Sequence, residues 1–213
     1  LSASDSLSNY YTDGSLNPFV SAGWTGQCTW YVYGRIQEKG VTTYNYLKNK
    51  FNKEGKQIFM GDAKKWYDDA KYVGFEVNKT PKANAIAVYT AKNHVAFVES
   101  VEGSSTIKVT ESNLNPKIGS KVVVTTNLNL REAASTSSNI VWMMPQFTIM
   151  EVINGSKFVS GYYWWPLSGN GYSGWAQRGG SNKLGWYYTR IVLDPSTPAL
   201  GTPNWYIHLP TSN

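Results

Sequence analysis

A single cysteine, Cys28, stands in this chain of 213 residues, within the run Gly26-Gln27-Cys28-Thr29-Trp30-Tyr31. With no second cysteine it cannot staple the fold, so it is either a buried small apolar residue or a nucleophile. The residues after it, Thr29 to Gln37, read as a helix ended near Lys39-Gly40, and Gly26 allows a tight turn into that helix. A thiol at a helix N-terminus feels the positive end of the macrodipole, which favours the reactive thiolate. There are two histidines, His94 and His208. His94 opens His94-Val95-Ala96-Phe97-Val98-Glu99, which has the β-branched and aromatic content of a strand. Glu111-Ser112-Asn113 closes a second strand, Thr106 to Thr110, and the short turn near Gly103-Ser104-Ser105 joins the two into a hairpin. His94 and Glu111, at opposite ends of the paired strands, can then lie side by side. Nucleophilic acyl transfer needs a thiol, an imidazole to take its proton and a polar group to fix the imidazole tautomer. Cys28, His94 and Glu111 or Asn113 supply those parts in chain order. The same residues also fit a polar strand histidine followed by capping groups, and periodicity does not separate the two.

The elements that must position these groups follow. Gly61-Asp62-Ala63-Lys64-Lys65-Trp66 reads as a helix start, and Ala85-Ile86-Ala87-Val88-Tyr89 as a strand before the histidine hairpin. Taken with Gly26 to Val32, Asn93 to Glu99 and Glu111-Ser112-Asn113, these motifs closely resemble those of CHAP amidase/endopeptidase domains, papain-like cysteine hydrolases that cut peptidoglycan. The resemblance covers about the first 116 residues. It departs from the family where Asn93 replaces the glycine that many members carry before the histidine. Pro81-Lys82-Ala83-Asn84-Ala85 also lacks the proline-glycine-aspartate pattern common before the strand. The resemblance implies that Cys28 attacks an amide carbonyl to form a thioester, that His94 shuttles the proton, and that Glu111 orients His94 with Asn113 sharing that role or setting the loop. The Cys28 backbone N–H, helped by Gln27, would bind the oxyanion.

From Lys121 onward the texture changes. Lys121 to Thr126, Leu128-Asn129-Leu130-Arg131, Ile140 to Phe147, Thr148 to Ile153 and Gly174-Trp175-Ala176 are short strand-like runs between Gly, Asn and Ser turns, the pattern of a small β-barrel. The Leu-Asn-Leu-Arg run, its Ser/Thr-rich loop and the late Gly-Trp-Ala are similar to a bacterial SH3-type wall-targeting domain. A CHAP domain normally ends in an aromatic strand soon after its Glu-x-Asn element. Here a matching segment, Asn204-Trp205-Tyr206-Ile207-His208, comes only after the barrel-like region. The expected fold class is therefore α+β: a papain-like domain with N-terminal helices packed on an antiparallel sheet (residues 1–116), an inserted all-β SH3-like barrel (117–183), and a C-terminal segment (184–213) that completes the first domain. Two consecutive domains with a tail are the alternative.

With 20 Lys and Arg against 14 Asp and Glu, the formal charge is +6. The charges are scattered and no nucleic-acid motif occurs, so the fitting partners are Gram-positive peptidoglycan and its anionic polymers, not nucleic acid. Aromatics make up 15% of the chain; Trp30, Tyr163, Trp164 and Trp165 are candidates for stacking on sugars or stem peptides, and in Tyr162-Tyr163-Trp164-Trp165 a strand buries only alternate members. Asp5 and Asp13 precede the nucleophile where some relatives bind calcium, but without the Asp-x-Asp-x-Asp spacing that calcium favours. Asp13-Gly14 reads as a turn pair, so no cofactor is expected, with calcium as the lesser alternative. No stretch has transmembrane length and no signal peptide is evident, so the chain reads as a monomer that is secreted or phage-delivered and acts at the wall. An inactive wall-binding module and an amidase acting on a soluble small molecule are the other classes. The intact Cys28, His94 and Glu111 argue against the first, and the barrel-like region against the second.

Overall fold

The computed structural model describes residues 8–102, 106–112, 118–119, 121–124, 127–178, 187–193 and 202–210. Among them the α-helices are α1 Asn9–Thr12, α2 Pro18–Ser21, α3 Cys28–Glu38, α4 Tyr44–Lys48 and α5 Trp66–Tyr72. The strands are β1 Glu76–Asn78, β2 Ile86–Tyr89, β3 His94–Glu102, β4 Thr106–Glu111, β5 Lys121–Val124, β6 Leu128–Arg131, β7 Ile140–Met144, β8 Ile149–Val152, β9 Lys157–Val159, β10 Tyr162–Gly169, β11 Tyr172–Arg178, β12 Tyr187–Leu193 and β13 Trp205–His208. By contacts, residues 8–112 group with 192–213 in one compact unit, and 113–191 fall in another.

In the first unit the strands run antiparallel in the order β1-β13-β2-β3-β4. β13 lies between β1 and β2, with Tyr206 paired to Ala87 and Asn78. Its Tyr206 and Ile207 are buried, which is the burial that the aromatic end of the chain requires. α3 packs on β3. It begins at Cys28, a residue earlier than the sequence suggests, and ends in a Schellman motif. Gly40, at φ 66°, gives its N–H to the Gln37 carbonyl, and buried Val41 gives its own to Ile36. Gly34 lies mid-helix, where glycine is normally costly. A Cβ there would sit 2.5 Å from the Tyr11 ring, so its absence lets α1 approach α3. Asn17, fully buried, locks this corner. Its amide gives hydrogen bonds to the Tyr10 and Trp30 carbonyls while its oxygen caps α2 at the Phe19 N–H. Trp66 stacks on Phe59 and Phe19 beneath.

Among its described residues the second unit is all β. Its strands run β12-β5-β8-β10-β11-β6-β7, with β9 hydrogen-bonded to β10. The core is Val122, Val124, Leu130, Met144, Met150, Val152, Trp165, Leu167 and Ala176. Gly174 is required where β11 crosses β6, since a Cβ would meet the Arg131 carbonyl at 2.5 Å.

Candidate active site

Three elements converge on one buried point. α3 delivers Cys28 at its first turn, β3 delivers His94 at its first residue, and β4 delivers Glu111 at its last. The hairpin register explains the last two. Phe97 faces Thr110, so one step further Glu111 comes level with Ala96, two residues from His94 on the same sheet face. Such diagonal neighbours are within reach of long side chains. His94 Nε2 and Glu111 Oε2 lie 2.5 Å apart, and the Cys28 side chain is close enough to the His94 ring to raise its pKa. With Nε2 engaged by Glu111, Nδ1 is the ring nitrogen left for the thiol. All three groups are enclosed: Cys28 is 6%, His94 5% and Glu111 0% exposed.

The electrostatics follow from that enclosure. Burial by itself pushes His94 toward its neutral form, but the bonds to Cys28 and Glu111 outweigh it and lift its pKa to about 9. Burial also holds the Glu111 carboxyl above the usual carboxylate range, opposed by His94 and Lys92. Burial and then the Glu111 charge push the neighbouring Tyr89 phenol up, so it stays protonated. By helix geometry the N–H groups of the first turn of α3, that of Cys28 among them, have no acceptor within the helix and form a site for developing negative charge.

Three supports around this point were not foreseen from sequence. Ser112, buried beside Glu111, donates through Oγ to the Gly26 carbonyl at 2.7 Å, so the end of β4 holds the turn that carries the nucleophile. Asn93 occupies the left-handed region at φ 48°, the conformation for which glycine is the usual residue and asparagine the next best. Its side chain accepts from the Lys64 N–H and donates to Asp62, tying the start of β3 to the segment before α5. Asn93 thus tolerates this backbone shape and adds a clamp. Arg35 reaches from α3 to Glu99 on β3 through two bonds of 2.7 and 2.9 Å and also bonds Glu38. Burial alone would raise Glu99, but Arg35, Thr110 and Lys39 hold its carboxyl below the usual range. Glu99 ends the strand run read from His94, but its pairing with Arg35 was not foreseen.

The stacking candidates divide. Tyr163 is 53% exposed and packs its ring 4.9 Å from that of exposed Phe158 on β9. Trp30, Trp164 and Trp165 need correction, because all three are buried and offer no ring face to a ligand. Trp30 gives its indole N–H to the Tyr11 carbonyl, and Trp165 belongs to the second unit's core. Trp164 and Trp165 are neighbours on β10 and both buried, so this strand is covered on both faces and the expected alternation fails there. Trp24, half exposed on the loop before Cys28, was not singled out from sequence. Gln27 is the N-cap residue of α3. Asn113 and Asp5 lie outside the described residues. Asp13 accepts from the N–H and hydroxyl of Ser15, closing a turn. No cluster of three or more His, Cys, Asp or Glu fit to hold a metal occurs among the described residues.

Residues 17–113 match the model of the CHAP domain family. That span starts just before the nucleophile turn and ends just past Glu111. An N-acetylmuramoyl-L-alanine amidase domain-containing protein of Staphylococcus aureus is 36% identical over 97 residues, 42% of this chain and 14% of that protein. The staphylococcal secretory antigen ssaA2 of the same organism is 35% identical over 131 residues, 61% of this chain and 40% of the antigen. The chain thus spans less than half the length of these relatives. The solved structure of Ly7917 with the hydrolyzing product of MDP aligns with 78% of this chain and 90% of its own, at 15% identity and a TM-score of 0.28, too low to signify a shared arrangement.

Proposed function

We propose that this protein is a peptidoglycan hydrolase that cleaves an amide of the stem peptide or cross-bridge through a Cys28 thioester. The observation that carries the reading is the buried cluster in which Glu111 clamps His94 and Cys28 acts on the same ring. The match of residues 17–113 to the CHAP model and the amidase wording of one relative's name support the substrate class. The secretory wording of the other supports action outside the cell.

In the reactive form the thiol proton has passed to the His94 ring, whose pKa near 9 keeps it charged at neutral pH. Cys28 Sγ then attacks the amide carbonyl carbon. Negative charge develops on the carbonyl oxygen, for which the Cys28 N–H at the start of α3 is a ready donor, with Gln27 beside it. The C–N bond breaks as His94 gives its proton to the leaving amine, and a thioester remains. Neutral His94 next takes a proton from water, whose oxygen attacks the thioester carbon. Release of the carboxylate returns the shared proton to the Cys28–His94 pair. Glu111 acts through His94, holding Nε2–H so that Nδ1 faces the thiol.

The second unit fits a wall-binding SH3-type barrel inserted before the last strand of the hydrolase. Support comes from the pairing of β13 with β2 and from the exposed Tyr163–Phe158 pair, a surface suited to stem or bridge peptides. Half-exposed Trp24, close in sequence to Cys28, takes the stacking role first given to Trp30. The test is digestion of purified Gram-positive sacculi with identification of new termini by mass spectrometry. New N-acetylmuramic acid ends mean amidase, and new amino-acid ends mean endopeptidase. Sacculi left intact by the wild-type chain overturn the reading.

A further inference from the structure

Tyr89 ends β2 beside the imidazole, and the chemistry above makes no use of it. It pairs directly with His94, so the two side chains leave the same face of the sheet, and their rings lie 6.1 Å apart with planes tilted by 51°. The residue is only 4% exposed. Its hydroxyl nevertheless has no hydrogen-bond partner among the described residues and is not one of the enclosed polar atoms, so the tip of the phenol is the part that reaches solvent.

The backbone around Tyr89 is pinned from the far end of the chain. Asn204 gives its N–H to the Val88 carbonyl at 2.9 Å, and its side-chain oxygen accepts from the Thr90 N–H and hydroxyl at 2.9 and 3.0 Å. One residue thus fixes both neighbours of Tyr89. Tyr206, on β13, pairs with Ala87 and so shares the sheet face with Tyr89. Burial, the Glu111 charge and then Tyr206 hold the Tyr89 phenol in its protonated form. A phenol that keeps its proton is a donor to any carbonyl within reach.

We infer that Tyr89 is a specificity-determining residue that donates its O–H to a backbone carbonyl on the leaving half of the substrate. The inference rests on the hydrolase reading. His94 hands its proton to the departing amine, so the half of the substrate that carries this amine lies against the His94 ring, on whose flank Tyr89 stands. Glu111 already occupies Nε2, and the start of α3 serves the carbonyl under attack. A rigidly placed phenol suits a peptide, which carries a carbonyl at each residue, and gives no grip on a simple amine. Amidase and endopeptidase cleavage both release a peptide amine, so the role holds for either.

The experiment compares two soluble substrates with the same acyl half, taken from the sacculus bond that the wild-type chain cuts. In one the leaving half is the natural peptide; in the other it is propylamine, which has no carbonyl. Tyr89→Phe keeps the ring and removes only the hydroxyl. On the peptide substrate it should raise KM roughly threefold to tenfold with kcat nearly kept, the loss expected of one neutral hydrogen bond made in the bound ground state. On the propylamide its kcat/KM should match wild type. The urea midpoint and the His94 ¹⁵N titration should stay in place, because the hydroxyl supports neither the fold nor the imidazole. Tyr72→Phe, at an exposed tyrosine on α5, should leave both substrates unchanged. Equal losses on the two substrates, or a shifted His94 titration, would overturn the inference, since Tyr89 would then act through His94. So would a Tyr89→Phe enzyme that cuts the peptide substrate as wild type does. A wild-type chain that leaves sacculi intact, or a Cys28→Ala chain that still digests them, removes the hydrolase reading itself and the inference with it.

Discussion

Replacing Glu111 by glutamine keeps the shape of the His94 clamp and removes only its charge. Glu111 is fully buried and meets His94 Nε2 at 2.5 Å, so nothing but the protein stands in for water around the pair. A hydrogen bond between ionised partners is about twice as strong as a neutral one, roughly 1.5–3 against 0.5–1.5 kcal/mol. Losing the charge therefore removes about 1–1.5 kcal/mol of preference for the imidazolium, close to one pKa unit. With the His94 pKa near 9, the Glu111→Gln enzyme should titrate roughly one unit lower. The acid that protonates the leaving amine is lost as pH rises through that value, so the alkaline limb of kcat/KM moves down by the same amount. At pH 7 most of the enzyme still holds the proton, and activity should fall by no more than about tenfold. The assay is release of dye from labelled sacculi across pH 6–10, with the imidazole ¹⁵N shifts of His94 followed in parallel. An active Glu111→Gln enzyme whose alkaline limb and His94 titration stay in place would refute the assignment of Glu111 as the group that sets His94.

Further outcomes follow from the same geometry. Cys28→Ala should abolish lysis while leaving the far-UV spectrum unchanged, and His94→Ala should lose nearly as much because the two act as one unit; His208→Ala should keep most of the lytic rate on sacculi. Because the folded His94 pKa lies above the ordinary 6.5, its stabilising contribution is whole below about pH 6.5 and is lost as pH rises through about 9. Thermal midpoints should fall across that window by the equivalent of about 3 kcal/mol, and the fall should flatten in His94→Gln. Gly34→Ala should destabilise by about 1–3 kcal/mol in urea unfolding despite alanine's better helix propensity, because its methyl meets the Tyr11 ring; a more stable variant would show that α1 is free to move away. Asn93→Val should unfold at lower urea than Asn93→Gly, since the left-handed backbone costs a β-branched residue about 1–2 kcal/mol that glycine avoids. A chain ending before Trp205 should be insoluble or inactive despite keeping every catalytic group, because it leaves the edges of β1 and β2 unpaired.

Much of the site could be read from residue types and order. One cysteine before a helical run, one histidine opening a β-branched run and one glutamate closing the next strand left few ways to assemble a thiol, an imidazole and an orienting group. The start and stop of α3 were legible because Gly26 and Lys39-Gly40 act locally, through turn and cap geometry that depends on a few neighbouring residues. The hairpin register was also local, since β3 and β4 are consecutive.

What the sequence left open depends on contacts between distant segments. The bond from Ser112 to the Gly26 carbonyl joins residues 86 apart, and that from Arg35 to Glu99 joins residues 64 apart. No periodicity encodes either one. Burial of Trp30, Trp164 and Trp165 was misjudged for the same reason. A tryptophan can fill a core or present a face to a ligand, and only the packing around it decides which. Asn93 is the clearest case. As a residue it was a departure from a glycine; in the fold it adopts a left-handed conformation that glycine favours and makes two hydrogen bonds to the segment around Asp62. The sequence determined which chemical groups were present and which local turns they could make. The tertiary structure decided their protonation and reach, because burial and through-space partners, rather than residue identity, lift His94 to about 9 and aim it at Cys28.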